Sequence, residues 1–407
     1  MNDSLQIKPH LEVAADCHGC GTRLAPRGLL WQGIHVCAEF RCPQCAAEFH
    51  EDLPIGHAAS LPCRVDAAHR LLRADPAKAS WFGEPLRRAL ERPDASPVQV
   101  EVRVRRGATR VVILNCLDFL SGHCLLKLLN AARHLRDPGW GLVVIVPRFL
   151  AWMVPEDAAE VWVVDLPLDR AQRYFPDLHR RICAELERFS EVRLSRAYSH
   201  PAEWNPRLFT GVPRHDFTAP SFRATFVWRN DRLWLPERGW SASLAGVSPA
   251  RVRQALQRRR IADLLDRLRR EFPGAKPTVA GVGRDGDFPS WIDDQRTDRA
   301  GEANAERELC RIYSESRLVI GVHGSNMLLA SGHAGMCIDL MPEERWGNVA
   351  QDMLFASDEP ADADLRLSAF RRRFIDVGAP PRLVAAIAIL ALRHHARAER
   401  SFVREMA

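Results

Sequence analysis

Apolar runs of strand length alternate with helix-like stretches from residue 99 onward. ATRVVILNC, GLVVIVP and EVWVVDLPL are continuous enough to be buried strands, and CLLKLLNAARHLRD, between the first two, has helical spacing. Strands that are buried on both faces and joined by helices form parallel sheets. The alternation therefore predicts an α/β fold, with a first half over residues 99–215.

The same alternation returns after a loop-rich passage and predicts a second α/β half over residues 216–407. Its predicted helices are VRQALQRRRIADLLDRLRREF and ANAERELCRIYSES, and its predicted strands are 223–229, 277–283, 317–323 and 335–341. A last helix, from about residue 380 to 398, has an apolar face long enough to pack back on the first half. We therefore expect two doubly wound, Rossmann-like domains that face a cleft.

Two C-x-x-C pairs near the amino terminus predict a zinc ribbon. Cys17 and Cys20 form one pair and Cys42 and Cys45 the other, with a β-rich segment, LLWQGIHV, between them. Each pair places two thiolates on one tight turn, and two turns complete a tetrahedral Zn²⁺ site. Four thiolates leave no open position, so the expected zinc is structural. Scattered buried thiols are the alternative, and Cys37 is a fifth candidate ligand.

The remaining amino-terminal sequence completes the expected domain plan. Residues 56–98 are rich in Pro, Ala and Arg, which is typical of a linker with short helices. The plan is therefore a zinc ribbon over residues 1–55, this linker, and the two α/β halves. A chain of 407 residues is long enough for two or three domains.

Composition limits the class of protein. The chain is 46% apolar and 27% charged, as in globular proteins, and its longest apolar run, LVAAIAILAL, is about half of the ~20 residues that a membrane span requires. The start, MNDSLQIKPHLEVAAD, lacks the pattern of a secretory signal, so we expect a cytoplasmic protein without a membrane span. The net charge of +6 suits phosphate-bearing small ligands as well as nucleic acid.

A turn of small and polar residues follows one predicted strand of the second half. The run RLVIGV leads into Gly321, His323, Gly324, Ser325 and Asn326, after which MLLASGHA begins a helix. In open α/β sheets, ligands bind at the carboxyl ends of the strands, and a helix amino terminus favours anions. The turn is a candidate phosphate site; a plain strand–helix turn with a capping Ser or Asn is the alternative.

A second polar turn follows another strand of the same half. FVWRNDRLW places Arg229, Asn230, Asp231 and Arg232 directly after a buried strand. Arginine is the side chain best matched to two phosphate oxygens, and here it is expected at the same sheet edge as the first turn. The alternative is a local Arg–Asp ion pair on a solvated turn.

The first half has its own polar loop, NCLDFLSGHC, after its first buried strand. Asp118 and His123 are candidate general bases there, with a structural role as the alternative.

GVGRDG, at 281–286, matches the dinucleotide fingerprint G-x-G-x-x-G, but the residues that follow, DFPSWIDDQRTD, are polar and broken by a proline rather than helical. A dehydrogenase that uses Gly281, Gly283 and Gly286 is a further alternative.

These segments resemble, in order and position, the fold-B glycosyltransferases, in particular the fucosyltransferase-like group and related protein- and polysaccharide-modifying transferases. YSESRLVIGVHGSNMLLASGHAGMCIDLMP is similar to their donor-site segment, in which the next strand ends in a carboxylate, here Asp339. FVWRNDR is similar to the strand whose arginine holds the donor diphosphate. LDFLSGHCLLKLLNAARHL resembles the first loop and helix of the acceptor half, and the resemblance covers about residues 105–345.

The resemblance implies a glycosyltransferase with a nucleotide sugar as co-substrate. The donor diphosphate is expected on the turn 321–326 and on Arg229, the arginine and the helix dipole stabilising the leaving group without a catalytic metal. Asp118 or His123 is expected to deprotonate the acceptor, a protein or glycan that docks through the zinc ribbon. The alternative from another class is a non-catalytic adaptor, in which a zinc ribbon on a degenerate transferase scaffold binds a protein or nucleic acid.

Overall fold

The chain folds into two compact units, Met1–Pro201 and Ala202–Ala407. The computed structural model describes residues 3–201, 203–236, 249–352, 355–356 and 365–403. Each unit contains a six-stranded sheet whose central strands are parallel, so the predicted α/β class is confirmed. The division between the units precedes residue 202, whereas the sequence pattern placed the start of the second half at residue 216.

The elements of the first unit follow in chain order. Its strands are β1 (Ser4–Lys8), β2 (Ala15–Asp16), β3 (Arg23–Leu24), β4 (Gly28–Trp31), β5 (Val36–Arg41), β6 (Glu48–Asp52), β7 (Arg64–Asp66), β8 (Leu71–Arg73), β9 (Val100–Val104), β10 (Arg110–Asn115), β11 (Gly141–Pro147), β12 (Glu160–Val164) and β13 (Glu191–Ser195). Its helices are α1 (Gly83–Glu91), α2 (Ser121–Leu128), α3 (Ala131–His134) and α4 (Pro176–Leu186), with short 3-10 helices at Gly56–Ala59, Arg148–Met153 and Leu168–Arg170.

The large sheet of the first unit has the order β1-β13-β10-β11-β12-β9. Strands β10 to β13 are parallel to one another, and the edge strands β1 and β9 are antiparallel to their neighbours. The chain runs outward from β10 through β11 to β12 and then returns to β13 on the other side of β10. The loops that leave β10 and β13 therefore flank a topological switch point, where open parallel sheets bind ligands.

A smaller antiparallel sheet, β4-β5-β6-β7-β8, and the β2–β3 hairpin form what we call the cysteine module, residues 15–73. Trp31 and Phe49 of this module belong to the same buried core as Ile113 of the large sheet and Phe175 before α4. Strands β7 and β8 belong to the predicted linker 56–98, so part of that segment completes the module's sheet. The module is thus built onto one face of the large sheet.

The elements of the second unit also follow in chain order. Its strands are β14 (Glu203–Trp204), β15 (Phe222–Trp228), β16 (Ala275–Val282), β17 (Asp293–Thr297), β18 (Ser316–Val322), β19 (Met336–Met341), β20 (Phe355–Ala356) and β21 (Arg372–Asp376). Its helices are α5 (Pro206–Thr210), α6 (Ala250–Glu271), α7 (Ala303–Ser314), α8 (Asn326–His333), α9 (Leu365–Arg371) and α10 (Pro381–Val403), with a 3-10 helix at Glu343–Asp352.

The sheet of the second unit is fully parallel and has the order β17-β16-β15-β18-β19-β21. Numbered along the chain this order is 3-2-1-4-5-6, that of the doubly wound nucleotide-binding fold, with its switch point between β15 and β18. Phe226 and Trp228 share a core with α6 and α10, and Val227 shares another with α7 and α8, so helices cover both faces.

The last helix, α10, packs against α6 and β18 of its own unit. Its predicted packing on the first half stays a prediction.

In the described part of the chain, no helix combines the length and the apolar character that a membrane crossing needs.

Candidate functional sites

The four predicted zinc ligands lie together. The sulfurs of Cys17 and Cys45, and those of Cys20 and Cys42, are each 3.4 Å apart, and all four lie within 4.8 Å of one another. Each pair sits on a tight turn, closed by the amide of Gly21 on the Cys17 carbonyl and the amide of Ala46 on the Cys42 carbonyl. Four converging sulfurs on two such turns fit a tetrahedral zinc ion.

Cys37 lies outside this cluster. Its thiol is fully buried in β5 and donates to Asp52 Oδ1 at 3.3 Å. Burial, and then the nearby Asp52 carboxylate, raise the pKa of the Cys37 thiol well above its usual range. By contrast, hydrogen bonds from Thr22 lower the pKa of Cys20 to about 6. Cys37 is therefore held as a neutral thiol outside the cluster.

The two polar turns of the second unit meet at its switch point. Arg229, directly after β15, donates to Asn326 Oδ1 at 2.7 Å and to the His323 carbonyl at 3.3 Å. Arg232 donates to the same carbonyl at 2.7 Å. Asp231 forms a two-pronged ion pair with Arg229, at 2.8 and 2.6 Å, and its side chain is 73% exposed. The structure thus brings together two segments that are more than 90 positions apart in the chain.

Gly324 lies between the two guanidinium groups. Its φ of 150° is one that other residues rarely adopt, and a Cβ atom there would lie 2.5 Å from an Arg229 nitrogen and 3.1 Å from an Arg232 nitrogen. The absence of a side chain is therefore what allows both arginines to approach the start of α8. The first amides of a helix have no acceptor within that helix, so donors and positive charge converge at this point.

A third arginine at this edge was missed by the sequence reasoning. Burial, followed by the positive charges of Arg229 and Arg345, lowers the pKa of Arg232, against the opposing effect of Asp231 and Glu344. Nε of Arg345 is buried, and no described residue accepts a hydrogen bond from it. Arg345 follows β19 in IDLMPEER, so a search for arginines after each strand of this half would have found it.

The other predicted donor-site residues differ in how far their side chains are exposed to solvent. His323 and Asp339 are each 1% exposed and lie beneath the turn, with His323 Nδ1 and Asp339 Oδ1 3.7 Å apart. Ser325 is exposed just before α8, and Gly321 packs against Met327 of that helix. Ser325 is thus placed to contact a ligand directly, whereas His323 and Asp339 are placed to support the turn.

The glycines of GVGRDG do not open a helix. They follow β16, and the next regular element is strand β17. A Cβ atom on Gly281 would lie 2.5 Å from the carbonyl oxygen of Trp228, so this glycine permits close contact between β16 and β15. The helix that a dinucleotide fingerprint requires is absent from the fully described stretch 283–292.

The switch point of the first unit holds a buried ionic cluster. Asp118, from the loop after β10, lies 2.8 Å from Lys127 Nζ, 3.2 Å from His57 Nε2 and 3.2 Å from His123 Nδ1. His123 and Lys127 belong to α2, and His57 comes from the cysteine module. The side chains of Asp118 and Lys127 are 0% and 2% exposed, whereas that of His123 is 16% exposed.

Lys127 determines the charge state of this cluster. Burial alone would raise the pKa of Asp118, but Lys127 and the two histidines hold it well below its usual range. Burial lowers the pKa of His57 to about 4. The Asp118 carboxylate therefore balances the Lys127 ammonium, with His57 neutral beside them. His200, after β13, lies close enough for the charge of His123 to add to the effect of burial in lowering the pKa of His200.

His57, Asp118 and His123 also lie close enough to bind a metal ion, with ligand atoms within 4.8 Å. The Lys127 ammonium, 2.8 Å from Asp118, already occupies the charged side of this carboxylate and would repel a cation bound there, so it disfavours a metal ion at this cluster.

Comparison with known proteins does not assign the chain to a family. No protein-family model matches the chain, and no curated protein matches it. The structure is similar to the crystal structure of the glycosyltransferase SnogD from Streptomyces nogalater, with 15% sequence identity, coverage of 68% of this chain and 74% of that chain, and a TM-score of 0.23. At that TM-score, no conclusion about this chain rests on the likeness.

Proposed function

We propose that this protein is a glycosyltransferase that moves a sugar from a nucleotide-sugar donor to an acceptor. The main support is the convergence of Arg229, Arg232 and Arg345 near the start of α8, at the switch point of the second sheet. Arginines and a helix amino terminus both favour phosphate groups. In sheets with this strand order, nucleotides bind at the switch point.

In this proposal the second unit binds the donor diphosphate. The ligand would take over hydrogen bonds that Arg229 now gives to the exposed Asp231, and Ser325, Asn326 and the first amides of α8 would add donors. As the bond to the sugar breaks, negative charge grows on the leaving diphosphate, and the fixed arginines stabilise it. The transfer then does not require a catalytic metal.

The first unit would bind the acceptor and supply the base. Asp118 is fully buried and held ionised by Lys127, so it cannot reach an acceptor hydroxyl; we assign it a positioning role. His123 is partly exposed and has its Nδ1 against Asp118, which directs Nε2 away from the carboxylate. We therefore assign the base to His123. The cysteine module belongs to the unit that binds the acceptor in this proposal.

A thermal-unfolding panel of UDP, GDP, ADP, CMP and dTDP tests the donor assignment. A nucleotide at about 100 times its dissociation constant should stabilise the second unit by about 2.7 kcal/mol, which corresponds to roughly 5–10 °C in melting temperature. Arg229→Ala should abolish the shift. Arg311→Ala is the matched control, because Arg311 is an exposed arginine of the same unit paired with Glu308.

Two outcomes would count against the proposal. If no member of the panel shifts the melting temperature, the donor site loses its support and the adaptor alternative becomes the better one. If Arg229→Ala and Arg311→Ala retain equal shifts, the nucleotide binds elsewhere.

A further inference from the structure

We propose that Gln257, a buried residue of α6, positions two arginines of the proposed phosphate site. This inference rests on the proposed function and deepens it, because Arg229 and Arg232 are the residues that contact the turn before α8. Gln257 is 1% exposed and directs both polar groups of its side chain to the backbone of residues 229–234. It is therefore a positioning residue, which acts on a ligand through the arginines.

Gln257 joins the two ends of the segment 229–234, which we call the arginine loop. Its Oε1 accepts a hydrogen bond from the Trp234 amide at 2.7 Å, and its Nε2 donates to the Arg229 carbonyl at 3.3 Å. A backbone amide only donates and a backbone carbonyl only accepts, so these partners also fix which way the side-chain amide faces. Both arginines belong to the segment that the two hydrogen bonds enclose.

The far end of the arginine loop is anchored in the core. Trp234 is 0% exposed, and its ring stacks on Phe226 of β15 at a centroid distance of 5.6 Å. The guanidinium of Arg260, in α6, lies over the same ring at 4.7 Å. Because β15 holds one end of the loop and this core holds the other, the two hydrogen bonds of Gln257 set the shape of the backbone between them.

The glycine-rich turn GVGRDG packs against the same loop. Gly283 has a φ of 94°, and a Cβ atom there would overlap the side-chain amide of Asn230. Gly286 has a φ of 59°, and a Cβ atom there would overlap the guanidinium of Arg258, which donates to a carbonyl of the turn at 2.7 Å. The two glycines therefore make room for the arginine loop and for the residue next to Gln257.

Loss of the side-chain amide of Gln257 would leave the Arg229 carbonyl and the Trp234 amide without the partner that they share. A buried backbone group without a partner is costly, so the loop would turn toward solvent. The Nη1 atom of Arg229 would then leave Asn326 Oδ1, from which it is now 2.7 Å away. The expected result is weaker phosphate binding with no change in the charge of the site.

Nitrogen-15 NMR of the full chain with labelled asparagine tests this without a ligand. The side-chain amide signal of Asn326, identified by its loss in Asn326→Asp, senses Arg229 because Oδ1 accepts from that arginine. Arg229→Ala gives the position of the signal without the arginine, and Gln257→Met should move the signal most of the way to that position. Leu268→Ala is the matched control, because Leu268 is buried about three turns further along α6, and it should leave the signal in place.

Gln257→Glu adds a rescue that depends on pH. A protonated glutamic acid can accept from the Trp234 amide and donate to the Arg229 carbonyl, whereas an ionised carboxylate can only accept. Burial favours the protonated form, so this variant should give the wild-type Asn326 signal at about pH 5.5 and the shifted signal at about pH 8, each compared with the wild type at that pH. If Gln257 only fills space, the signal of the variant will not depend on pH in this way, and the inference fails.

A nucleotide that stabilises the wild type provides the functional measurement. Gln257→Met should raise its dissociation constant about tenfold, as expected for the loss of roughly one hydrogen bond, whereas Leu268→Ala should leave it unchanged. An unshifted Asn326 signal or an unchanged dissociation constant in folded Gln257→Met would overturn the inference; if that variant does not fold, Gln257→Leu replaces it. If no nucleotide binds the wild type, the proposed function fails, and the NMR result still decides whether Gln257 positions Arg229.

Discussion

The two units place different chemistry at the same position of their sheets. In each, the loops that leave two parallel strands meet where the strand order reverses. In the first unit this point holds Asp118, Lys127 and His57, buried and balanced in charge. In the second it holds Arg229, Arg232 and Arg345 beside a helix amino terminus, and Asp231 and Glu344, the acids that act on Arg232, are exposed.

This difference indicates what each site is built to bind. A balanced, buried cluster gains nothing from an added ion, but it fixes the position of protons. A group of arginines that repel one another gains from an anion, because the ligand removes the repulsion. In the proposed function, the same topology serves a base in one unit and a phosphate in the other.

Breaking the charge balance of the first site should have the largest effect on stability. Lys127→Met leaves the buried Asp118 carboxylate without its ammonium partner, so we expect a loss of about 3–5 kcal/mol in the free energy of unfolding. Urea denaturation measures it. The exposed Lys78→Met should change stability by less than about 0.5 kcal/mol. Adding Asp118→Asn to Lys127→Met should recover part of the loss; no recovery would mean that the two charges are not coupled.

Acid should weaken the first site next most strongly. Burial lowers the pKa of His57 from 6.5 to about 4. Between pH 6.5 and pH 4, His57 is therefore protonated in the unfolded chain and neutral in the folded chain. The free energy of unfolding is therefore unaffected by His57 above about pH 6.5. It falls by up to about 3 kcal/mol as the pH is lowered toward 4. His57→Gln should remove this part of the slope in urea denaturation between pH 7 and 4.5. An unchanged slope would show that His57 is not buried as a neutral ring.

A substitution in the turn of the second site should destabilise the protein more than a substitution of one of its arginines. Gly324→Ala places a side chain at a φ of 150° and against Arg229, so we expect a loss of about 1–3 kcal/mol together with the loss of nucleotide stabilisation. Thermal unfolding with and without nucleotide measures both. Gly274→Ala is the control, since a Cβ atom there meets nothing within 4 Å. Equal losses in the two variants would remove the special role of Gly324.

The smallest effect on stability should come from Arg345. Its Nε has no partner among the described residues, so Arg345→Ala should change the free energy of unfolding by less than about 0.5 kcal/mol. The nucleotide-induced shift in melting temperature should nevertheless fall, because one of three positive charges is gone. If the shift stays at its wild-type value, Arg345 does not contact the phosphate.

The strands and helices that could be predicted from the sequence are those with a continuous apolar run or a helical repeat of apolar residues. The buried runs that became β10, β11, β12, β15, β18 and β19 are continuous and apolar, and helices α6, α7 and α10 have clear apolar faces. Strands β17 (DDQRT) and β21 (RRFID) were missed because charged residues dominate them and they lie at the edges of the sheet. Their pairing, rather than their composition, makes them strands.

The candidate sites were predictable only in part, for a related reason. Arg229 and the turn at Gly324 follow apolar strands, so a rule about strand ends locates them. The ion pair of His57 with Asp118 joins segments that follow two different sheets, and Lys127 looks like one more residue of an amphipathic helix. No local pattern reports a contact between segments that only the packed structure brings together.

Hydrogen exchange measured by mass spectrometry, with the most stabilising nucleotide of the panel, tests the central claim most directly, because it reports which switch point binds the diphosphate. We predict slower exchange at residues 229–232 and 323–328 of the second unit and no change at residues 116–123 of the first. Arg232→Ala should remove the protection. Protection confined to residues 116–123, or none in either unit at a saturating nucleotide concentration, would contradict the assignment of the donor site.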